Sequence, residues 1–223
     1  MPAQAVIFDV DGTLVDSVDL HARAWQEALA QFGHRVGFDE VRAQIGKGGD
    51  QLLPVFLSQD EISLRGKLVE DFRGDLYKRE YLKRVRAFPG VRPLFKELLR
   101  RGLRIALASS AKGDELELYE QIAGIEGLLH AETSKDDAEK SKPHPDIFEA
   151  ALRRLGPDLD RRRVLVVGDT PWDAIAARRM GVRTIGVLCG GFAEADLRAA
   201  GCVDIYRDPE DLHLRLEQTP LLA

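Results

Sequence analysis

The chain has 223 residues, of which 44% are hydrophobic and 31% charged, with a formal net charge of −5. That balance excludes a disordered or collagen-like chain, and its acidity argues against nucleic acid or an anionic membrane as the main partner. No apolar run approaches ~20 residues and no basic leader precedes an apolar stretch, so neither a membrane span nor a secretory signal is expected. The two cysteines, Cys189 and Cys202, lack metal-type spacing and suit a reduced, cytoplasmic setting as structural residues. With no heptad pattern, monomer is the default.

The first element is a run of apolar residues from Ala5 to Phe8 that leads into Asp9, Val10, Asp11, Gly12, Thr13 and Leu14. An uninterrupted apolar stretch suits a strand buried on both faces of a parallel sheet, which places Asp9 and Asp11 at its carboxyl end, where ligands of open α/β sheets bind. Two carboxylates so close repel unless a cation or a shared proton intervenes, and Gly12 lets the chain turn tightly beside a ligand. A divalent metal is the expected solution; a simple turn is the bland alternative, and it does not explain why a buried strand ends in two acids. An EF-hand is excluded, because Thr13, Leu14 and Leu20 stand where that loop needs an acid, a glycine and a glutamate.

Asp16 or Ser17 can then cap a helix whose apolar side includes Val18, His21, Ala24, Trp25, Ala28, Leu29 and Phe32, with Gly33 ending it. Helical patterns without a convincing strand continue to about Arg86, broken at Gly46-Lys47-Gly48-Gly49 and at Ser58. This reads as a helical insertion over residues 16–86, with the remaining segments 1–15 and 87–223 forming the other unit. Lys47 is either a ligand for a distal anionic group of a substrate or an ordinary loop lysine. The basic run Lys78, Arg79, Lys83, Arg84 and Arg86 reads as a solvated helix face, and Trp25 and Trp172 as packing residues.

From Phe88 onward strands and helices alternate. Strands are expected at Leu103–Ala108, Gly127–Ala131, Arg163–Val167, Thr184–Leu188 and Val203–Tyr206, with helices between them. Such alternation implies an α/β fold with a doubly wound, Rossmann-like parallel sheet. Ser109 and Asp169 follow apolar strands as Asp9 does, so residues far apart in sequence converge on one edge of the sheet. Each also has a capping reading. Ser109 or Ser110 can cap the next helix, and Thr170, Pro171, Trp172 and Asp173 read as N-cap, N1, N2 and N3 of another. In Lys140-Ser141-Lys142-Pro143-His144-Pro145 the two prolines stiffen the backbone around Lys142, which can balance the acids, bind an anion or simply be solvated.

Asp9-x-Asp11-Gly12-Thr13, Ser109, Lys142-Pro143 and Gly168-Asp169-x-x-x-Asp173 resemble, in order and spacing, the four motifs of the haloacid dehalogenase superfamily of phosphohydrolases. The helical insertion resembles the cap of its phosphoglycolate phosphatase and β-phosphoglucomutase branch. The resemblance implies that Asp9 attacks phosphorus to give an aspartyl-phosphate, and that Asp11 acts as acid and then base. It implies that Mg²⁺ is held by Asp9, the Asp11 backbone carbonyl and Asp169, with Asp173 supporting it. Ser109 and Lys142 would stabilise the phosphoryl group, Gly12, Thr13, Ser110 and Lys47 would contact a small phosphorylated metabolite, and Thr13 would orient Asp11. His21 is either a packed histidine or, by the same resemblance, a partner of Asp11. A mutase is the runner-up, weakened because Gly49, Ala111 and Gly113 stand where that branch carries side-chain donors. A dehalogenase needs neither Asp11 nor a metal, and a non-catalytic binding module would not need every position filled.

Overall fold

The computed structural model describes residues 2–222. Its centre is β1 (Ala5–Phe8), in which all four side chains are buried. β1 is paired in parallel on one side with β2 (Arg104–Ala108) and on the other with β4 (Val164–Gly168). With β3 (Ala131–Thr133), β5 (Arg183–Val187) and β6 (Cys202–Tyr206) the sheet has the order β3-β2-β1-β4-β5-β6, all parallel. The strand order reverses at β1, so the crevice outside its carboxyl end is where such a sheet presents a ligand site. This is the doubly wound α/β architecture expected from the sequence.

Alternation along β1 explains why an apolar run is needed there. Val6 and Phe8 join one core layer, where Phe8 meets Phe95 at 4.8 Å between ring centroids, while Ala5 and Ile7 join the layer on the opposite face. Full burial of a residue such as Phe8 or Ile7 contributes about 1.5–3 kcal/mol.

Between β1 and β2 lie α1 (Val18–Gln31), α2 (Phe38–Arg42), α3 (Gly49–Phe56), α4 (Gln59–Glu61), α5 (Lys67–Leu76) and α6 (Val91–Arg100). π-helical segments at Ile62–Gly66 and Tyr77–Tyr81 flank α5 and keep the path helical, as expected from the lack of strand patterning. α1, α2, α3 and α5 bury their own apolar cluster, which includes Trp25, Leu29, Val41, Leu52 and Val69. Asp16 N donates to Arg86 O at 2.8 Å, and Val15 bridges Ala87, so the two strands of chain that enter and leave this helical stretch run side by side. The remaining helices are α7 (Gly113–Ala123), α8 (Asp146–Leu155), α9 (Pro171–Arg179), α10 (Glu194–Ala200) and α11 (Pro209–Leu214). Among the described residues no helix is long and apolar enough to cross a membrane.

Three local expectations are corrected. β3 begins at Ala131 rather than Gly127, because Gly127 has φ +72° and His130 N already bonds to Ile105 O, so the preceding residues form a turn. Ser17 stands at the N-cap of α1 without using its side chain there, since its hydroxyl donates to Asp11 Oδ1 at 2.5 Å. The N-cap of α7 is Lys112, and Ser109 Oγ accepts from Ala111 N at 3.0 Å in the turn before it.

Candidate active site

The loop after β1 is pinned by one carbonyl: Val10 O accepts from Thr13, Leu14 and Val15 N. Gly12 completes the turn at φ +79°, and a Cβ there would come within 2.3 Å of Asp169 Oδ2. From the other side Gly190 presses as closely, since a Cβ on it would fall 1.6 Å from the same oxygen. Glycine at both positions lets two backbones close around the Asp169 carboxylate.

The expected residues meet as follows. Asp9, Asp169 and Asp173, all buried, each bring a carboxylate oxygen within 4.8 Å of the others. Lys142, 1% exposed, reaches into this group, where its ammonium pairs with Asp9 Oδ1 and lies 2.8 Å from Asp173 Oδ1. Thr13 Oγ1 donates to Asp9 Oδ2 at 3.0 Å or Asp169 Oδ1 at 3.2 Å, so it faces the acid cluster and does not orient Asp11. Asp173 also completes the expected capping box of α9, with Oδ2 accepting from Thr170 N and Oγ1 at 3.1 and 2.6 Å. Capping and membership of the cluster coexist in this side chain.

The Asp11 side chain is not part of the cluster and faces Ser17 and His21 instead. Oδ1 accepts from Ser17 Oγ and from His21 Nε2, the latter at 2.8 Å. Arg73 Nη2 donates to His21 Nδ1 at 2.7 Å, and the imidazole lies flat against Tyr77 at 4.0 Å between centroids. His21 is therefore buried and hydrogen-bonded, which reconciles its two sequence readings. Ser110 lines the cavity above Asp9 and Asp11, whereas Ser109 is wholly buried beneath it. Lys47 Nζ hydrogen-bonds Gln44 Oε1 at 2.6 Å, sits 4.0 Å from the Trp172 ring centroid, and lines the same cavity of about 350 Å³.

The helical stretch touches the sheet-bearing part around this cavity through polar contacts. Asp50 Oδ2 accepts from Ser141 N at 3.1 Å, Lys135 pairs with Glu70 at 2.8 Å, Lys78 pairs with Asp114, and Arg42 donates to Gly190 O at 2.9 Å. Gly48 allows the approach, since a Cβ there would meet Ser141 Oγ at 2.0 Å. Lys78 is thus a cross-contact rather than a free member of a solvated basic face. Trp25 packs in the helical cluster as expected, while Trp172 is only half-buried and carries Lys47 on its ring.

The electrostatics separate the two leading acids. Burial raises the Asp9 carboxyl, Lys142 pulls it back, and Asp173 and Asp11 raise it again, leaving it at about 7. Burial and the neighbouring Asp9 and Asp173 push Asp169 well above its ordinary value. For Asp11, burial is outweighed by His21, Ser17 and Arg73, which hold it at about 2. Three buried carboxylates against one ammonium leave an excess of negative charge, and Asp169 Oδ2 is buried with no hydrogen-bond partner. An all-oxygen, acid-rich site with such an orphaned atom fits a hard divalent cation.

A family model described as haloacid dehalogenase-like hydrolase matches residues 3–181. The chain belongs to the haloacid dehalogenase-like hydrolases. Among curated relatives of this hydrolase, the phosphoglycolate phosphatase of Yersinia pestis is 33% identical over 192 residues, covering 84% of this chain and 82% of its own. A pyrophosphatase of Oceanobacillus iheyensis is 26% identical over 187 residues, covering 84% of each chain. Among solved structures, a hydrolase from Pseudomonas syringae superposes with a TM-score of 0.86 at 28% identity, covering 96% of this chain and 98% of that one.

Sequence reading missed Arg73, Tyr77, Glu115 and Tyr119, which surround His21. Arg73 with Tyr77, and Glu115 with Tyr119, are spaced by four residues, as helix neighbours are, but nothing in that spacing says which histidine they face.

Proposed function

We propose that this hydrolase is a Mg²⁺-dependent phosphatase that cleaves small phosphomonoesters through an aspartyl-phosphate on Asp9. Residues 16–86 act as a cap over a core formed by 1–15 and 87–223. The observation that carries the reading is the pair of unlike acids at the end of β1: Asp9 lies in a buried acid cluster beside Lys142, and Asp11 lies 2.8 Å from His21 at the cavity wall.

Asp9, Asp169 and the Asp11 backbone carbonyl would hold Mg²⁺, with Asp173 beside them. When bound, the ion supplies positive charge that lets an anionic carboxylate and a phosphate dianion approach each other. Lys142 adds a fixed cation, and Thr13 aims the Asp9 carboxylate by donating to Oδ2. An Asp9 oxygen attacks phosphorus, the bond to the leaving oxygen breaks, and Asp11 delivers a proton to that oxygen. Water then attacks phosphorus, the Asp9–phosphorus bond breaks, and Asp11 takes the proton back. Asp11 starts ionised, so it takes up from solvent the proton it later delivers, as the arriving phosphate raises its affinity for a proton because like charge disfavours its carboxylate. Ser110, on the cavity wall, offers its hydroxyl to the phosphoryl oxygens, where transition-state charge spreads, while Ser109 beneath it holds the turn by accepting from Ala111 N.

The cap closes the cavity and sets the substrate. Its volume of about 350 Å³ suits a small metabolite, and Lys47, on the cap side, can meet an anionic distal group. Gly49, Ala111 and Gly113 carry no side-chain donors for a second phosphate, which favours hydrolysis over the mutase reading. The test is phosphate release from a panel that includes phosphoglycolate, pyrophosphate and sugar phosphates, with Mg²⁺ or with chelator. Metal-dependent release from a subset of monoesters is the expected result. Transfer of phosphate between two positions of one sugar, with little free phosphate, would instead make the chain a mutase.

The acid cluster also predicts a pH-dependent response to metal. The Asp9 carboxyl is about 7 in the fold against an ordinary value of 3.8, so between these values the folded chain holds a proton that the unfolded chain has released. Stability therefore falls as pH rises through that window, and a bound cation offsets the loss. Magnesium is expected to raise the melting temperature by several degrees at about pH 8 and by little at about pH 5. Equal shifts at the two values would contradict the placement of the cation at Asp9 and Asp169.

A further inference from the structure

Helix α7 belongs to the sheet-bearing part of the chain, yet its inner side reaches His21 on α1. Glu115 and Tyr119, one turn apart on α7, are 4% and 1% exposed. The direction of each hydrogen bond follows from what each group can donate. Arg73 has only protons to give, so His21 Nδ1 accepts, and the single proton of a neutral ring sits on Nε2, which donates to Asp11 Oδ1. The same Nε2 lies 3.2 Å from Tyr119 Oη and 4.0 Å from Glu115 Oε1. The Tyr119 hydroxyl donates to Glu115 Oε1 at 3.0 Å, so its oxygen is left to accept, from Tyr77 at 2.6 Å and, as the longer branch of the proton shared with Asp11 Oδ1, from His21 Nε2. Burial, with Asp11 and Glu115 nearby, pushes the Tyr119 hydroxyl well above its ordinary value, so it stays a donor.

We propose that Tyr119 and Glu115 are positioning residues for the reaction: through this bonded chain they fix the orientation of His21, and His21 fixes the Asp11 carboxyl that serves the leaving oxygen. The idea rests on the reading of Asp11 as the acid. Its physical content is that the helical stretch alone gives the imidazole a stacking surface, Tyr77, and a donor, Arg73 on α5, but no second acceptor on the Nε2 side. Tyr119 supplies that acceptor from the opposite part of the chain. Glu115 turns the Tyr119 hydroxyl so that its lone pairs, not its proton, face the ring. Because α7 belongs to the sheet-bearing part and α1 to the helical stretch, the orientation of Asp11 is complete only when the two are seated together. Arg73, Tyr77, Ser17 and Asp11 are the other polar groups that face His21.

A leaving-group comparison separates positioning from simple structural support. An alkoxide needs a proton in order to leave, whereas p-nitrophenolate leaves without one, so only the first depends on a well-placed acid. Wild type and the variants Tyr119→Phe, Glu115→Gln and Asp11→Asn are assayed with Mg²⁺ on β-glycerophosphate and on p-nitrophenyl phosphate. Because the second step, in which Asp11 takes a proton back, is common to both esters, the comparison is made on kcat/KM, which reports the first step. Tyr119→Phe is expected to lower kcat/KM by ~10- to 100-fold on β-glycerophosphate and by less than ~3-fold on p-nitrophenyl phosphate. Glu115→Gln, which keeps an acceptor for Tyr119 but loses the charge, is expected to show the same split at smaller size and serves if Tyr119→Phe does not fold. Equal losses on the two esters, or no loss on either, would overturn the assignment. Asp11→Asn keeps the two ideas apart. If it splits the esters and the α7 variants do not, the positioning role alone is wrong; if it does not split them, the acid role of Asp11 falls as well.

Discussion

Asp9→Asn is expected to abolish turnover, by ~10⁴-fold or more, while leaving the fold at least as stable as the parent. The two halves of that result come from different properties of one side chain. As the proposed nucleophile, Asp9 has no substitute: Asp169 and Asp173 are wholly buried, and Asp11 is turned toward His21. As a buried carboxylate near two others, it is held at about 7 and is a source of repulsion in the folded state. The amide keeps shape and hydrogen-bonding capacity and removes that charge. A purified variant with lost activity and an unchanged or raised melting temperature fits the account. Residual turnover within tenfold of wild type would require another nucleophile.

Lys142→Met has the largest expected effect on stability. The ammonium is 1% exposed and serves Asp9 and Asp173 together, while its position 5.0 Å from the Phe148 ring centroid adds a further contact. Removing it leaves a cluster of buried carboxylates without their fixed cation, which costs about 3–5 kcal/mol. In a chain of this size that corresponds to ~10 °C in melting temperature. The sign of the pH dependence follows from the acids that remain. Loss of Lys142 raises their affinity for protons further, so the variant recovers part of its stability as pH falls and those protons bind. Thermal denaturation at about pH 8 and about pH 5 should therefore show the larger deficit at the higher value. A deficit independent of pH would mean that packing, and not charge, is the main contribution of Lys142.

The fold was legible where a single local rule was strong. The apolar run into Asp9 gave a fully buried central strand, and Thr170-Pro171-Trp172-Asp173 gave the start of α9 with its capping box. It was less legible where two rules competed. Gly127 to Ala131 has apolar residues and a glycine, and the turn conformation at Gly127 delayed β3 to Ala131. Ser17 has the chemistry of a helix cap, yet a half-buried carboxylate at 2.5 Å is a stronger partner than a backbone amide. Tyr119 and Glu115 could not be paired with His21 from sequence at all, because 98 residues separate His21 from Tyr119 and only the fold brings their side chains together.

Trapping the phosphorylated residue tests the central claim most directly. The hydrolase would be quenched in acid during steady-state turnover of a radiolabelled phosphomonoester with Mg²⁺, then reduced with borohydride, which converts an aspartyl-phosphate to homoserine, and mapped by peptide. Label on the protein, with homoserine at position 9 and none in Asp9→Asn, is the predicted result. Vigorous turnover with no acid-stable, borohydride-sensitive label, or with homoserine at another aspartate, would contradict Asp9 as the nucleophile.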